Sequence, residues 1–290
     1  MSIVITGATG QLGRLVIADL LSAGIPAEEI TAAARSKEKA ADLAEQGVRI
    51  LEADYDRPET FAGAFEPADR VLLISGSEVG RRPAQHATVI DAAKTAGVAQ
   101  LAYTGVFGGP KADFLLAKDH RETEQLILDS GLPYTFLRNS WYTDAPGLTP
   151  DLAAIIERGA IVNGAKPDAW LATAPRTDYA AAAAVVLRTD GHLNKAYELS
   201  GDTAWTYPGF AAEVTRQSGK TVVHESLSRE ANKAMLLNVG VPGSFVEILA
   251  DVDDAINRGA LAGTPGDLSR LIGRPTTPLA ETIAEALADN

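Results

Sequence analysis

Ile3-Val4-Ile5-Thr6-Gly7-Ala8-Thr9-Gly10-Gln11-Leu12-Gly13 is the stretch that decides the fold. Its β-branched start fits a buried parallel strand. Gly7, Gly10 and Gly13 follow at once in a GxxGxxG spacing. Leu12, Leu15, Val16 and Leu20 then recur at helical spacing, and Gly24 supplies the stop. A strand, a tight glycine turn and a helix N-terminus together bring backbone N–H groups to a pyrophosphate. Gly10 omits the Cβ that would block that approach, and Gly13 lets the helix pack closely on the sheet.

Outward from this motif the rhythm repeats. Ile30 to Ala34 reads as a second strand ending at Arg35, followed by a polar helix from about Lys37 to Gln46. Val48 to Leu51 is a third strand, ending near Asp54. Val71 to Ile74 is a fourth, ending at Ser75-Gly76-Ser77. A helix from about Ala84 to Ala96 stops at Gly97. Leu101 to Thr104, a helix from about Asp119 to Asp129, and Tyr134 to Leu137 complete the series. Strands separated by helices predict an α/β fold, a Rossmann-type doubly wound parallel sheet with ligands at the carboxyl ends of its strands.

After about Asp144 the pattern changes. Helices are predicted at Tyr179 to Leu187, Pro208 to Ser218, Ser228 to Val239 and Pro242 to about Arg258, and from Thr277-Pro278 onward. Ala196 to Leu199 reads as one more sheet strand and Val222 to Leu227 as a short separate one. The expected division is a nucleotide-binding domain of residues 1–150 and about 176–204. A smaller, mostly helical C-terminal substrate domain takes about 151–175 and 205–290.

Composition narrows the function. The chain has 290 residues, no Cys and a formal charge of −12, with 46% hydrophobic and 22% charged residues. That is ordinary for a globular protein with a real core. The missing Cys excludes a disulfide scaffold, a thiolate zinc site and a Cys nucleophile. The acidic balance argues against nucleic acid as a partner. No apolar run reaches the roughly 20 residues of a spanning helix. Met1-Ser2 carries no basic region of a signal peptide, so a cytoplasmic location is the expectation. No His or carboxylate cluster has metal-ligand spacing, and Asp251-Val252-Asp253-Asp254 reads as a solvated helix face.

The end of the second strand bears on the cofactor. An NAD site places an Asp or Glu there, about 20 residues past the glycines. This chain has Ala33-Ala34-Arg35, with Lys37 and Lys39 nearby. An Arg pairs with a 2′-phosphate and stacks on adenine, so NADP is favoured. Asp54 is placed either to accept from the adenine amino group or to cap a turn.

Several further segments resemble one family. Thr6-Gly7-Ala8-Thr9-Gly10-Gln11-Leu12-Gly13, Ile74-Ser75-Gly76-Ser77-Glu78-Val79-Gly80, Gln85-His86, Tyr134-Thr135-Phe136-Leu137-Arg138-Asn139, Thr177-Asp178-Tyr179-Ala180, Trp205-Thr206 and Leu271-Ile272-Gly273-Arg274-Pro275 span nearly the whole chain. Together they resemble the NmrA-like atypical short-chain dehydrogenases. Within that group they look most like type 2 NADPH:quinone oxidoreductases and triphenylmethane dye reductases. The resemblance implies NADPH as cofactor, with neither metal nor flavin, and a substrate cleft beside a small C-terminal lobe. It places Gly7, Ala8, Thr9, Gly10, Gln11, Leu12 and Gly13 at the pyrophosphate and Arg35 at the 2′-phosphate. Ser75, Gly76 and Ser77 pass beside the cofactor. Thr104, Asn139, Ser140, Trp141 and Tyr142 flank the nicotinamide side. Gln85, His86, Trp141 and Arg176 are candidates for the acceptor cleft.

Ordinary members of the wider superfamily use a YxxxK pair. Aligned on Glu124 and Ser130-Gly131-Leu132, the Tyr position falls on Leu116 and the Lys position on His120. Reducing an isolated ketone builds a basic alkoxide that needs such an acid. A quinone yields a delocalised anion, and a cationic triarylmethane dye needs only hydride, so orientation carries most of the catalysis. The expected function is therefore NADPH-dependent hydride transfer to a planar conjugated small molecule. Asn139 and His120 are the candidate catalytic residues; for His120 the competing reading is a helix histidine bonded to a nearby carbonyl. The alternative function is a non-catalytic NADP(H)-sensing regulator, and a third, less favoured, is an isoflavone-reductase-like enzyme using Lys118. A homo-oligomer is compatible with the sequence.

Overall fold

The computed structural model describes residues 2–288. Along the first half, β1 (Ile3–Thr6), α1 (Gln11–Ser22), β2 (Ile30–Ala34), α2 (Ala41–Glu45), β3 (Arg49–Glu52), β4 (Arg70–Leu73), α3 (Arg82–Ala96), β5 (Gln100–Val106), α4 (Leu115–Ser130) and β6 (Tyr134–Asn139) alternate. The second half supplies α5 (Leu152–Arg158), β7 (Ala160–Asn163), α6 (Arg176–Arg188), β8 (Lys195–Leu199), α7 (Tyr207–Ser218), β9 (Val223–Ser226), α8 (Arg229–Asn238), α9 (Gly243–Asn257), α10 (Asp267–Ile272) and α11 (Leu279–Ala288). The chain divides into two units. One runs through Pro110 and adds Lys118–Asn139 and Arg176–Glu198; the other takes Lys111–Ala117, Ser140–Pro175 and the residues from Leu199 onward.

The first unit carries a seven-stranded sheet in the order β3-β2-β1-β4-β5-β6-β8, flanked by helices. Every neighbouring pair from β3 through β6 runs parallel. This is the doubly wound α/β class read from the sequence. β1 is central, and Ile3, Val4 and Ile5 are almost wholly buried, as strands covered on both faces must be. The order reverses at β1, with β2 on one side and β4 on the other. A crevice therefore opens beyond the carboxyl ends of those strands. Helix α6 packs against α1 through a run of small residues: Ala180, Ala182, Ala183 and Ala184 are all buried.

Several boundaries move, each for a local reason. The expected helix at Lys37 to Gln46 splits into a 3₁₀ turn at Glu38–Ala40 and the short α2. Only Ala40 and Leu43 of that stretch are buried, too little apolar face for a longer helix. Helix α4 starts at Leu115 instead of Asp119. Strand β5 continues to Val106, with every residue buried. On β6, Arg138 reaches both carboxylate oxygens of Glu124 on α4, at 2.9 and 2.8 Å, and Glu198 on β8 at 2.9 Å. A planar guanidinium suits that fork.

The second unit is mostly helical around the two-stranded parallel pair β7-β9. Helix α5, β7 and α10 are short elements that the sequence pattern does not announce. Ser228 caps α8 as expected, accepting from the Ala231 N–H at 3.3 Å, and Thr206 caps α7 through Gly209. The last helix begins at Leu279, one residue past Pro278. The Asp251–Asp254 segment is not a uniformly solvated face. Asp253 is buried and accepts from Gly164 N–H at 2.8 Å and Asn232 Nδ2 at 2.7 Å. Burial pushes its carboxyl up to about 6. Among the described residues, no helix is long and apolar enough to cross a membrane.

Candidate functional site

A cavity of about 400 Å³ opens in the first unit, beyond the carboxyl ends of β1 to β4. Gly7, Thr9 and Gly10 form one wall, Ala33, Ala34, Arg35 and Lys39 a second, Ala53, Asp54, Tyr55 and Phe61 a third, and Ile74 to Glu78 with Gln85 the fourth.

The glycine turn is built from backbone. Gly7 adopts φ +62, and Gly10 N–H donates to Gly7 carbonyl at 3.0 Å. No side chain caps α1, and its first turn holds no acidic residue. The helix therefore presents unsatisfied N–H groups and a positive dipole end, suited to an anion. Gly13 is required for a reason closer to home than helix–sheet packing. A Cβ there would lie 2.6 Å from Gly7 carbonyl oxygen and 2.8 Å from Ala8 Cα, inside the turn's own backbone. Ala8, Leu12 and Gly13 are buried, and Gln11 is exposed; none of these four lies on the cavity wall.

Arg35 stands exposed at the end of β2 and, with Lys39, puts positive charge on the wall. Lys37 turns away to Glu52, at 3.7 Å. Asp54 lies on the wall and also caps a turn, accepting from Asp56 N–H at 3.1 Å. Tyr55 was not anticipated. Its hydroxyl sits 2.6 Å from Thr6 Oγ1 and 3.0 Å from Ile74 carbonyl, tying the ends of β1 and β4 together under the cavity floor. Burial pushes the phenol well above its ordinary range, so it stays neutral. Only its place directly after Asp54 could have signalled it.

Ser75, Gly76 and Ser77 line the cavity, and so does Gln85, which the sequence assigns to the acceptor cleft. Gln85 Nε2 donates to Asp56 at 3.2 Å. Other expected residues lie behind the wall. His86 is fully buried and accepts from Gly76 N–H through Nε2 at 3.0 Å. Thr104 is buried, and its Oγ1 accepts from Ser75 N–H at 2.9 Å. His120 is buried on α4, with Nδ1 2.8 Å from the Tyr103 hydroxyl and Nε2 3.4 Å from an Arg82 nitrogen. Burial and the Arg82 charge hold both imidazoles down at about 3. At neutral pH, His120 is a neutral ring with both nitrogens engaged, not a poised general acid. Its partner is a buried phenol, not the carbonyl of the structural reading.

Asn139 is buried at the end of β6, and its carbonyl accepts from Phe107 N–H at 2.9 Å. Arg176 opens α6, half-buried. Neither lies on the cavity wall. Ser140, Trp141 and Tyr142 belong to the second unit. There Ser140 Oγ donates to Ala172 carbonyl at 2.9 Å, and Trp141 and Tyr142 are half-buried. Among the described residues, no group of three or more His, Asp or Glu could hold a metal.

A doubly wound sheet with a glycine turn, an uncapped helix N-terminus and a cationic wall defines a dinucleotide-binding protein. Comparison with known proteins agrees. Residues 7–189 match the family described as NAD(P)H-binding. The chain is 45% identical to quinone oxidoreductase 2 of Escherichia coli K12 over 97% of both chains. The crystal structure of that organism's NADPH-dependent quinone oxidoreductase QOR2, complexed with NADPH, superposes with a TM-score of 0.94, covering 98% of this chain and 99% of the other. Citrobacter sp. triphenylmethane reductase complexed with NADP(H) gives 0.93 at 44% identity, covering 98% of this chain and 100% of the other. The chain belongs to the NAD(P)H-binding family. It is an NADPH-dependent oxidoreductase of the quinone-oxidoreductase type.

Proposed function

We propose that this chain transfers hydride from NADPH to a quinone or a similar planar conjugated acceptor, such as a triarylmethane dye. The observation that carries the reading is the cavity's second wall. Arg35 and Lys39 stand where an NAD site needs a carboxylate for the ribose hydroxyls. That wall accepts a 2′-phosphate and offers nothing to two free hydroxyls. The naming of the relatives for quinones and a triphenylmethane dye supports the acceptor class.

When bound, NADPH supplies the hydride. The protein's own part is to bind and orient. The turn from Gly7 to Gly10 and the N-terminus of α1 hold the pyrophosphate, and Arg35 the 2′-phosphate. Asn139 is our candidate for the polar group beside the reacting ring. No Tyr-Lys acid pair takes part, because Leu116 and His120 occupy those positions. The lysine route of an isoflavone-reductase-like enzyme is also disfavoured. Lys118 is exposed on α4 and pairs with Glu122 one turn on, at 3.9 Å.

The test is acceptor-dependent oxidation of NADPH, with a simple benzoquinone, then a cationic triarylmethane dye, and NADH for comparison. We expect NADPH to be consumed at least tenfold more efficiently than NADH in kcat/KM, about 1.4 kcal/mol or more of discrimination. Tight NADPH binding without turnover of either acceptor would instead support a cofactor-sensing regulator.

A further inference from the structure

The loop after β4 is held from behind at a single peptide. Gly76 faces the cavity, yet both of its backbone polar groups are taken by side chains on the far side. His86 Nε2 accepts the Gly76 N–H at 3.0 Å, and Arg82 Nε donates to the Gly76 carbonyl at 2.5 Å. Both residues lie on α3, one helical turn apart, so they reach the loop together.

The protons of the network can be assigned throughout. Because His86 accepts at Nε2, its proton sits on Nδ1 and is donated to Thr123 Oγ1 at 2.8 Å. Thr123 in turn donates to Asp119 carbonyl at 2.8 Å. Arg82 donates to His120 Nε2, which puts the His120 proton on Nδ1, facing the Tyr103 hydroxyl at 2.8 Å. The two chains of donors run outward from the Gly76 peptide and end on α4 and β5. Satisfied buried networks of this kind fix a unique geometry.

Arg82 is unusual within it. It is 8% exposed, and its guanidinium donates to a carbonyl and an imidazole, with the Asp119 carboxylate on α4 favouring its charge through space. Burial disfavours this cation, and the Asp119 charge offsets only part of that cost, since desolvation is the larger effect. What the arrangement provides is a fixed direction for one peptide of the cavity wall.

We propose that His86 and Arg82 are positioning residues for the cofactor, a two-point clamp that sets the Gly76 peptide, and with it Ser75 and Ser77, against bound NADPH. Neither residue lies on the cavity wall. The inference rests on the assignment of this cavity to NADPH, so the experiment carries a control for that assignment.

NADPH dissociation constants would be measured by fluorescence titration for His86→Leu, His86→Gln, Arg82→Met and the control Arg35→Ala. Near-UV circular dichroism and Tm would report the fold. Leucine removes both hydrogen bonds of His86, whereas glutamine keeps an acceptor for Gly76 N–H. The expected result is at least a tenfold rise in Kd for His86→Leu with a native spectrum, and recovery to within about threefold of wild type for His86→Gln; the tenfold step corresponds to about 1.4 kcal/mol. A merely structural role would lower Tm and leave Kd in place. If His86→Leu does not fold, Arg82→Met, which frees the Gly76 carbonyl and His120 Nε2 but leaves the His86 bond to Gly76 N–H in place, carries the same expectation. Wild-type affinity in folded His86→Leu and Arg82→Met, beside a weakened Arg35→Ala, would overturn the clamp and leave the cavity assignment standing. Wild-type affinity in all the folded variants, Arg35→Ala included, would overturn both.

Discussion

Gly13→Ala is expected to destabilise the protein by about 2–4 kcal/mol and to abolish measurable NADPH binding. The added methyl would lie 2.6, 2.8 and 2.9 Å from Gly7 oxygen, Ala8 Cα and Ala8 oxygen. All three are backbone atoms, so no side chain can swing aside. Relief requires the turn itself to open, and that turn is one wall of the cavity. The comparison variant is Gly10→Ala. Gly10 has φ −76, and its Cβ would meet only Gly7 oxygen, at 3.2 Å. That conformation is ordinary for alanine, so the fold should survive with a loss of under about 1 kcal/mol. NADPH affinity should still fall at least tenfold, about 1.4 kcal/mol, because the methyl stands where the pyrophosphate approaches. Urea denaturation and NADPH titration of both variants separate the two effects. A Gly13→Ala protein as stable as wild type would mean that the turn is not confined as described.

Arg35→Ala is expected to remove most of the preference for NADPH. A hydrogen bond to a charged group contributes about 1.5–3 kcal/mol, which is roughly a 10- to 150-fold rise in KM for NADPH. KM for NADH should change by less than about twofold, since NADH carries no 2′-phosphate for the guanidinium to meet. Lys39→Ala should give the same direction with a smaller effect, its exposed ammonium being a screened point charge. Steady-state kinetics with both cofactors checks this. Equal losses for NADPH and NADH would show that Arg35 supports the cavity and does not read the phosphate.

What the sequence made legible is what backbone chemistry dictates locally. The glycine spacing between a β-branched strand and an amphipathic helix specifies the turn. The alternation of strand and helix specifies the doubly wound sheet, and Arg35 at the end of β2 is a charge at a position fixed by counting. Side-chain direction is not legible in that way. Gln85 and His86 are neighbours on α3, yet Gln85 lies on the cavity wall while His86 points behind it to Gly76. His120 sits at the position of a catalytic Lys in the superfamily pattern. Its ring, though, is turned into the network of Arg82 and Tyr103. Thr104 and Tyr55 use their hydroxyls to tie strand ends together, a role set by three-dimensional neighbours far apart in sequence. The short elements α5, β7 and α10 escaped notice for a related reason. At 7, 4 and 6 residues they are too brief to carry a periodic signal, and packing within the second unit holds them.

The most direct test of direct hydride transfer uses NADPH deuterated at C4 of the nicotinamide, a cationic triarylmethane dye and mass analysis of the colourless product. The account predicts one deuterium on the central carbon of the reduced dye, with the label delivered from NADPH and not from solvent. A reduced dye without deuterium, or one that takes its hydrogen from deuterated water, would contradict it.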